Sequence, residues 1–416
     1  MASAGALLPV GFQMKNFRFT PSLVILSGGL IFFLAMGIRQ TMGLFLYPVT
    51  TDLGWSRETF ALAIAVQSLI YGFVQPPVGI IADKFGAGRV IAVGGLFYAA
   101  GLYLMSTVTS PLMWNLGAGV MLGVGMGAVA MTVLAGAVAR AVPEQRRSLA
   151  LGTVAAGGGA GHFLMIIFGQ TLIAFNGWQT TLLIFSALPL LMIPLAMPLA
   201  GKKSALVQEA RIKLKEALSE AARHRGYLLL MAGFFVCGFQ VVFVAAHLPA
   251  YLIDNDLPPA LGATALAMIG FFNIIGSYVC GYLGGIYSKK YVLSSIYLAR
   301  AVLIAIFVTL PISNVSVLIF AAVIGFLWLG TVPLTSALVG QIFGVQYLST
   351  LFGFTFLSHQ MGSFLGAWLG GYLYDLTGSY NTVWYISVVL GLLAALLHLP
   401  INDAQVERLR VAGQPA

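Results

Sequence analysis

The chain alternates between long apolar stretches and short polar connections along almost its whole length. Twelve stretches are long enough, at about 20 residues, to cross a bilayer as helices. They lie near residues 21–48, 58–82, 89–108, 112–139, 148–175, 178–199, 226–252, 260–286, 291–311, 315–341, 349–374 and 380–400. Gly and Pro occur inside them, but neighbouring helices in a membrane bundle satisfy the backbone groups that these residues free. The pattern predicts an all-α membrane protein with twelve transmembrane helices.

Composition agrees with a chain that lies mostly in the lipid bilayer. Of the 416 residues 59% are apolar and 8% are charged, whereas soluble domains carry about 25% charged residues. The sequence shows no GxSxG elbow, phosphate-binding loop or pair of carboxylates at depth, so we expect no enzyme activity, no cofactor and no metal. Cys237 and Cys280 lie in predicted spans without metal-ligand spacing and are interpreted as packing residues.

The distribution of Lys and Arg predicts the orientation of the chain. Eighteen of the 21 basic residues fall on the two terminal segments and on alternate connections, while the opposite side carries Arg57 alone. Positive residues accumulate on the cytoplasmic side, so both termini are predicted to be cytoplasmic in a bacterial-type inner membrane. Topology thus accounts for the net charge of +9 without a nucleic-acid partner, and we expect a monomer.

An internal repeat divides the chain into two six-helix halves. Shifting the sequence by about 201 residues aligns Gly37, Arg39 and Pro48 with Gly238, Gln240 and Pro249. The predicted units are an N-terminal bundle (1–200), an amphipathic cytoplasmic linker (201–225) and a C-terminal bundle (226–416). Secondary transporters use such repeats and bind a small-molecule substrate between them near the midplane. Transport is therefore the favoured function, and a solute sensor is disfavoured because the linker is too short for a signalling domain.

The connection after the second span reads Gly-Ile-Ile-Ala-Asp-Lys-Phe-Gly-Ala-Gly-Arg over residues 79–89 and resembles the signature loop of the major facilitator superfamily. In that family the loop acts as a gate, because its carboxylate pairs with basic residues across the cytoplasmic face in one state only. The gating residues implied by the resemblance are Gly79, Asp83, Lys84, Gly86, Arg89 and, after the fourth span, Arg140.

Other motifs resemble the monocarboxylate and oxalate–formate branch of that superfamily. They are Arg140 with Pro143 and Arg146, Ile342-Phe343-Gly344 with Tyr347, and Gly371 with Asp375, Thr377 and Gly378. The resemblance implies a small organic anion, carried with a proton or exchanged for another anion. This chain departs from the branch in span eight, where Ser277 takes the place of the anion-binding Arg and no acidic residue is present.

Only Arg39 and Arg300 fall inside apolar segments, and no carboxylate clearly does. A cation in a bilayer costs roughly 3 kcal/mol or more and is usually retained for a partner. Arg39 lies in span one, which lines the cavity in the family that the chain resembles, and its fork suits a carboxylate. Alternatively, Arg39 snorkels or pairs with Asp52. Arg300 either bonds carbonyls of neighbouring spans or faces the cavity.

The predicted site extends from Arg39 to polar residues on several spans. Without an intramembrane carboxylate, the proton-coupling candidates are His247 and His359, since histidine titrates near neutral pH. His162 follows a glycine-rich run and is interpreted mainly as a packing residue. The full predicted substrate-binding set is Arg39, Gln40, Gln240, His247, Tyr278, His359 and Gln360.

Together these features predict a symporter that imports a monocarboxylate-like anion with a proton by alternating access. The alternative is an importer of a neutral or aromatic heterocycle such as a vitamin (riboflavin-like), with Phe and Tyr rings stacking on it. A drug or metabolite exporter is less favoured, because span five lacks the Gly-Pro signature typical of drug antiporters.

Overall fold

A computed structural model describes residues 20–142, 147–200, 214–344 and 348–407, and all regular structure in this part is helical. The N-terminal half contains α1 Pro21–Gln40, α2 Met42–Leu53, α3 Arg57–Phe85, α4 Ala87–Ser106, α5 Pro111–Trp114, a π-helix Asn115–Met121, α6 Leu122–Ala128, α7 Met131–Ala141, α8 Arg147–Ala187, a 3-10 helix Leu188–Leu191, α9 Met192–Leu195 and a 3-10 helix Met197–Leu199. After it come α10 Leu214–Arg223, α11 Arg225–Ile253, α12 Pro259–Ile286, α13 Lys289–Thr309, α14 Asn314–Phe326, α15 Thr331–Phe343, α16 Leu348–Thr377 and α17 Asn381–His398.

Ten segments of the described chain are long and apolar enough to cross a membrane. The longest, Ala150–Leu195, has 46 residues and contains Gly177, whose φ of 75° is not helical. The rings of Phe168 and Phe185 on either side of this glycine lie 6.0 Å apart, whereas a continuous helix would separate them by about 25 Å. The chain therefore reverses at Gly177. The all-helical membrane fold is confirmed, and the count of twelve spans stays a prediction.

The internal repeat of the sequence recurs in the packing of the helices. Gly161 on α8 lies against the backbone of Phe33 on α1, and Gly362 on α16 lies against the backbone of Phe235 on α11. A methyl group at either glycine would overlap the carbonyl group opposite. Small residues at such crossings let helix backbones approach closely. The pair formed by α1 and α8 thus has a counterpart about 201 residues later in α11 and α16.

The main contacts between the N-terminal half, residues 20–200, and the C-terminal half, residues 225–407, are made by three pairs of helices: α3 with α16, α8 with α12, and α2 with α11. We call the ends predicted to face the cytoplasm the inner ends, and the opposite ends the outer ends. Gly72 on α3 packs against Gln360 on α16, since a Cβ at Gly72 would lie 3.0 Å from that of Gln360. This contact lies near the middle of both helices.

The same helices separate toward their inner ends. Gly79 lies seven residues after Gly72 and Gly353 lies seven residues before Gln360, so each is on the same helix face as its partner, two turns further in. No described atom lies within 4 Å of a Cβ built at Gly79 or Gly353. The interface between α3 and α16 is therefore closed at its middle and open at its inner end.

The second pair of interface helices behaves in the same way. A Cβ at Gly159 on α8 would lie 2.8 Å from Ile274 on α12, and one at Gly270 on α12 would lie 3.1 Å from the Cβ of His162. On the same faces but nearer the inner ends, Gly152 and Gly281 have no described neighbour within 4 Å. A cleft between the halves thus opens toward the inner ends.

The helix that follows the linker begins with a histidine cap. His224 Nδ1 accepts a hydrogen bond of 3.1 Å from the backbone N–H of Tyr227. Burial lowers the pKa of His224, with the charge of Glu220 opposing this effect. The ring is therefore neutral at pH 7, and a neutral ring keeps the lone pair that an N-terminal cap requires.

Candidate functional site

Arg39 lies in the last turn of α1, near the middle of the 33-residue candidate span Pro21–Leu53. Its guanidinium carbon is 5.4 Å from the centre of the Tyr71 ring on α3. Neither of the ion pairs found among the described side chains includes Arg39. The alternative partner Asp52 instead accepts a hydrogen bond of 3.0 Å from the indole of Trp178. Arg39 is therefore a cation that no described carboxylate balances.

Aromatic contacts connect Arg39 to the C-terminal half. The Tyr71 ring meets Phe356 on α16 edge-on, with centroids 5.7 Å apart. Phe356 stacks on His359 at 5.5 Å, and His359 Nδ1 lies 3.3 Å from Gln360 Oε1. The fold thus brings three residues of the predicted substrate set, Arg39, His359 and Gln360, to one region of the interface from distant parts of the sequence.

Several buried polar atoms in and around this region have no hydrogen-bond partner among the described residues. Gln75 shares the face of α3 with Tyr71, one turn away, and Gln360 packs on Gly72. An unpaired buried polar atom costs about 1–3 kcal/mol, so such atoms mark places where water or a ligand bonds. The atoms are Gln40 Nε2, Gln75 Nε2, Gln360 Nε2, His359 Nε2 and His162 Nδ1. In the described part of the chain, no group of His, Cys, Asp and Glu could hold a metal ion.

Three of the other four predicted substrate residues have different surroundings. Gln240 Nε2 donates to the carbonyl of Ser387 at 2.9 Å, so this side chain faces α17 within the C-terminal half. His247 is fully buried, with Nε2 2.8 Å from the carbonyl oxygen of Ala367 on α16. Tyr278 on α12 is 80% exposed. The face of α11 that carries Gln240 and His247 thus packs inside its own half.

Arg300 is held within the C-terminal half. It is 1% exposed and donates through Nε to the carbonyl of Leu327 at 3.0 Å, and through Nη2 to the carbonyls of Leu327 and Trp328. These carbonyls lie in the break between α14 and α15. Nη1 is 3.4 Å from Cys237 Sγ. Of the two alternatives for Arg300, this geometry corresponds to the one in which the side chain bonds carbonyls of neighbouring spans.

The predicted gate lies at the open inner end of the interface. Gly79 has no described neighbour across the cleft, and Gly86, with a φ of 96°, ends α3 and starts α4. Arg89 is exposed on α4. The side chains of Asp83, Lys84 and Arg140 lie outside the described residues.

The outer ends of the halves are joined by charged groups that were not among the predicted site residues. Arg57 at the start of α3 donates through both terminal nitrogens to Asp254 beyond α11, at 2.5 and 2.6 Å. Asp375 on α16 accepts from the backbone N–H groups of Arg57 and Glu58, at 3.0 and 2.7 Å. The Arg57 guanidinium carbon lies 3.8 Å from the centre of the Tyr374 ring. We call this group the outer clasp; its sequence signal was that Arg57 stands alone on its side.

Apolar spans in two halves with a cleft between them are the architecture of many secondary transporters. The sequence model of the Major Facilitator Superfamily matches residues 28–357, so the chain belongs to this superfamily. Both resemblances found in the sequence are thereby confirmed, since relatives from the monocarboxylate and oxalate–formate branch also match.

Relatives span nearly the whole chain at low identity. An uncharacterized MFS-type transporter, YcxA of Bacillus subtilis, is 24% identical over 88% of this chain and 92% of the relative. Monocarboxylate transporter 13 of Rattus norvegicus is 24% identical over 88% of this chain and 85% of its own. The oxalate:formate antiporter of Oxalobacter formigenes is 24% identical, covering 87% of this chain and 86% of that protein.

Solved structures show the same fold. A bacterial homolog of the human lysosomal transporter Spinster, in an inward-facing and occupied conformation, superposes with a TM-score of 0.72 at 15% identity, covering 92% of this chain and 96% of the other. A mutant of the nucleoside transporter NupG gives a TM-score of 0.73 at 14% identity, covering 91% and 99%. At such identities the likeness concerns the fold alone.

Proposed function

We propose that this chain is a twelve-helix secondary transporter that imports a small, monocarboxylate-like organic anion across a bacterial inner membrane. Residues 1–200 rock against residues 226–416, and the linker 201–225 joins them. The reversal at Gly177 supports the count of twelve, because it makes two helices of one segment, and α16 adds a further helix of 30 residues. The observation that carries the proposal is Arg39, which faces the interface without a described carboxylate partner.

The surroundings of Arg39 suit an anion with an apolar body. A carboxylate accepts two parallel hydrogen bonds from a guanidinium, and bonds to charged groups contribute about 1.5–3 kcal/mol each. The amide nitrogens of Gln75 and Gln360, which have no described partner, supply further donors. The rings of Tyr71 and Phe356 offer apolar surface for the carbon skeleton. The relatives named as monocarboxylate and oxalate:formate carriers support the same substrate class.

The proposal includes uptake of a proton with the anion, because that exchanges a charged cargo for a neutral one. His359 is the titratable side chain beside Gln360 at the interface, and its Nε2 has no described partner. His247 is the second candidate, although it lies inside the C-terminal half. Both act as proton carriers only if their protonation changes between the two access states.

Uptake into proteoliposomes tests the anion model. Radiolabelled short-chain and aromatic carboxylates are compared for the parent protein, Arg39→Gln, and the matched control Arg223→Gln, which removes an exposed arginine on the linker helix. We expect kcat/KM to fall by roughly 10- to 100-fold in Arg39→Gln, as the loss of about 1.5–3 kcal/mol implies, and to stay unchanged in the control. Equal uptake of every carboxylate by the parent and Arg39→Gln would disprove the model.

A neutral aromatic substrate is the second candidate, and the stacked rings favour it. Phe356 lies nearly parallel to His359, with 7° between the planes, and Tyr71 closes the group from α3. A thermal-shift panel of carboxylates and uncharged heterocycles separates the two. Stabilisation by a heterocycle such as riboflavin, unchanged in Arg39→Gln, with no response to any carboxylate, would establish the second candidate.

A further inference from the structure

A chain of hydrogen bonds joins the outer clasp to a buried histidine. Arg57 Nη1 lies 2.9 Å from the hydroxyl oxygen of Tyr380, and the same oxygen lies 3.2 Å from His247 Nδ1. On the other side of the ring, Nε2 is 2.8 Å from the carbonyl oxygen of Ala367. Tyr380 is 2% exposed and His247 is 0% exposed. Bulk water therefore does not replace a bond that this chain loses.

The two ends of the chain determine where its hydrogens are. A carbonyl oxygen only accepts, so His247 Nε2 carries a hydrogen and donates it to Ala367. A guanidinium only donates, so the Tyr380 oxygen accepts from Arg57. A neutral imidazole then has Nδ1 as an acceptor, and the Tyr380 hydroxyl donates to it. With neutral His247 every group in the chain is satisfied while the clasp is closed.

Protonation of His247 breaks this pattern. A hydrogen on Nδ1 would point at the Tyr380 oxygen, which would then face two donors, while its own hydrogen would lose its acceptor. A buried polar hydrogen without an acceptor is unfavourable. The new positive charge would also be repelled by that of Arg57, which lies on the other side of the Tyr380 hydroxyl. Separating Arg57 from Tyr380 relieves both effects, and these residues belong to different halves.

The other charged groups around the chain have partners of their own, and the ring of Tyr251 meets that of Tyr380 edge-on at 6.1 Å. Asp254 bonds both terminal nitrogens of Arg57, and Asp375 bonds backbone N–H groups. Glu58 accepts from the indole of Trp368 at 2.9 Å. Tyr374 stacks under the guanidinium. The groups packed directly on the His247 ring are Phe243, Ala367, Gly370 and Tyr380, none of which is a carboxylate.

We propose that His247 is a proton-binding site that controls access from the outer side: neutral His247 holds the outer clasp closed, and protonated His247 opens it. Since the open state binds the proton more tightly, lowering the pH shifts the equilibrium toward it, by at most about tenfold in the open-to-closed ratio per pH unit for one proton. This inference rests on the proposed proton-coupled transport, and it names the residue that binds the proton and the effect of that proton on the outer clasp. The opening itself needs no substrate.

Distances across the outer end test the proposal directly. Spin labels at Thr109→Cys and Ala260→Cys report on the two halves, because both positions are exposed in outer connections or at an outer helix start. The native Cys237 and Cys280 are buried and stay in place. Double electron–electron resonance is recorded in nanodiscs without substrate between pH 8 and pH 5.5. We expect a longer-distance population that rises several-fold as the pH falls.

Two variants assign the response to His247 and its relay. In His247→Gln the amide can donate to Ala367 and accept from Tyr380, as the neutral ring does, so we expect a closed clasp at every pH. Tyr380→Phe removes the relay but leaves the Arg57–Asp254 pair, so we expect the pH response to disappear. A parent-like response in His247→Gln would overturn the proposal and assign the proton to another group, and so would a parent protein whose distances ignore pH.

Arg39→Gln separates this proposal from the proposed function. Arg39 takes no part in the clasp, so this variant keeps the parent response to pH even though it loses anion uptake. If no carboxylate proved to be transported, the distance measurements would still decide whether His247 controls the outer side.

Discussion

Two arginines lie inside apolar segments of this transporter, and their surroundings are opposite. Arg300 is 1% exposed and donates hydrogen bonds to the carbonyls of Leu327 and Trp328 within its own half. Arg39 faces the interface between the halves, with the Tyr71 ring beside it and no described carboxylate partner. An arginine inside the membrane thus indicates a ligand site only when its hydrogen-bond donors lack partners in the protein. Its presence in the bilayer does not by itself indicate a ligand.

The helices that carry the two arginines explain this difference. Arg300 on α13 faces the place where α14 ends and α15 begins, and a broken helix leaves carbonyls that need donors. Asn273 satisfies a further backbone group at this break, because its side-chain oxygen accepts a hydrogen bond of 3.0 Å from the backbone N–H of Leu329. Arg39 instead meets the interface between α1, α3 and α16, where unpaired amide nitrogens, which are themselves donors, surround the site. One arginine satisfies acceptors, and the other adds to an excess of donors.

Removing Arg300 should have the largest effect on the folded protein. Arg300→Leu leaves the carbonyls of Leu327 and Trp328 at the α14–α15 break without their donor, and each buried acceptor left unsatisfied costs about 1–3 kcal/mol. We expect a fall in Tm of about 5 °C or more, together with a smaller monodisperse peak in size-exclusion chromatography. Unchanged Tm relative to the control Arg223→Gln would show that these bonds are not needed for stability.

Removing Arg39 should have the next largest effect, on transport and not on stability. Arg39→Gln loses the charge-assisted bonds to the substrate, so we expect substrate binding to weaken by about 1.5–3 kcal/mol, with Tm close to that of the parent. Arg39→Lys keeps the charge but not the two parallel donors of the guanidinium, so its affinity for the substrate should lie between those of the parent and Arg39→Gln. Isothermal titration with the transported carboxylate measures the loss. A fall in Tm as large as in Arg300→Leu would instead make Arg39 structural.

Arg57 is a third arginine and the one with a carboxylate partner, which sharpens the comparison. A double-mutant cycle with Arg57→Gln and Asp254→Asn measures their coupling, which we expect to be about 1–2 kcal/mol for contacting residues. The measured quantity is the ratio of closed to open outer distances at pH 8. Additive effects of the two substitutions would mean that the pair does not hold the outer side closed.

Gln360 should give the smallest effect of the series. Gln360→Leu removes a buried amide nitrogen that has no described partner, but it also removes the 3.3 Å contact of Oε1 with His359 Nδ1, so we expect Tm to change little. It also removes one neutral hydrogen bond to the substrate, and a loss of about 0.5–1.5 kcal/mol predicts a two- to tenfold fall in kcat/KM. Uptake and thermal unfolding of the same preparation check both. A lower Tm with unchanged uptake would exclude Gln360 from the site.

The sequence located the apolar segments well but not their interruptions. The predicted tenth span is continuous, whereas the structure breaks it between α14 and α15, and the predicted sixth span contains short 3-10 and α segments. Hydropathy shows how apolar a segment is. Whether the helix is broken within that segment also depends on side chains of other helices, such as Arg300, that bond the freed backbone groups. Arg57 shows the same limit, since its isolation was visible but its partners Asp254 and Asp375 lie 197 and 318 residues away.

By itself the sequence determined the membrane environment, the repeat, the superfamily and the few cations that must be compensated, because each follows from composition, spacing or local motifs. Only the tertiary structure decided which of these cations is satisfied: Arg300 by carbonyls, Arg57 by carboxylates, and Arg39 by neither among the residues that the structure describes. It also decided that Gln240 and His247 face their own half, while Gln360 packs on Gly72 of α3 and His359 stacks on Phe356, whose ring meets that of Tyr71 beside Arg39. The orientation of a helix face depends on the neighbours against which it packs. In a membrane bundle apolar residues cover every side of a helix, so the hydrophobic pattern alone does not show which side faces the interface.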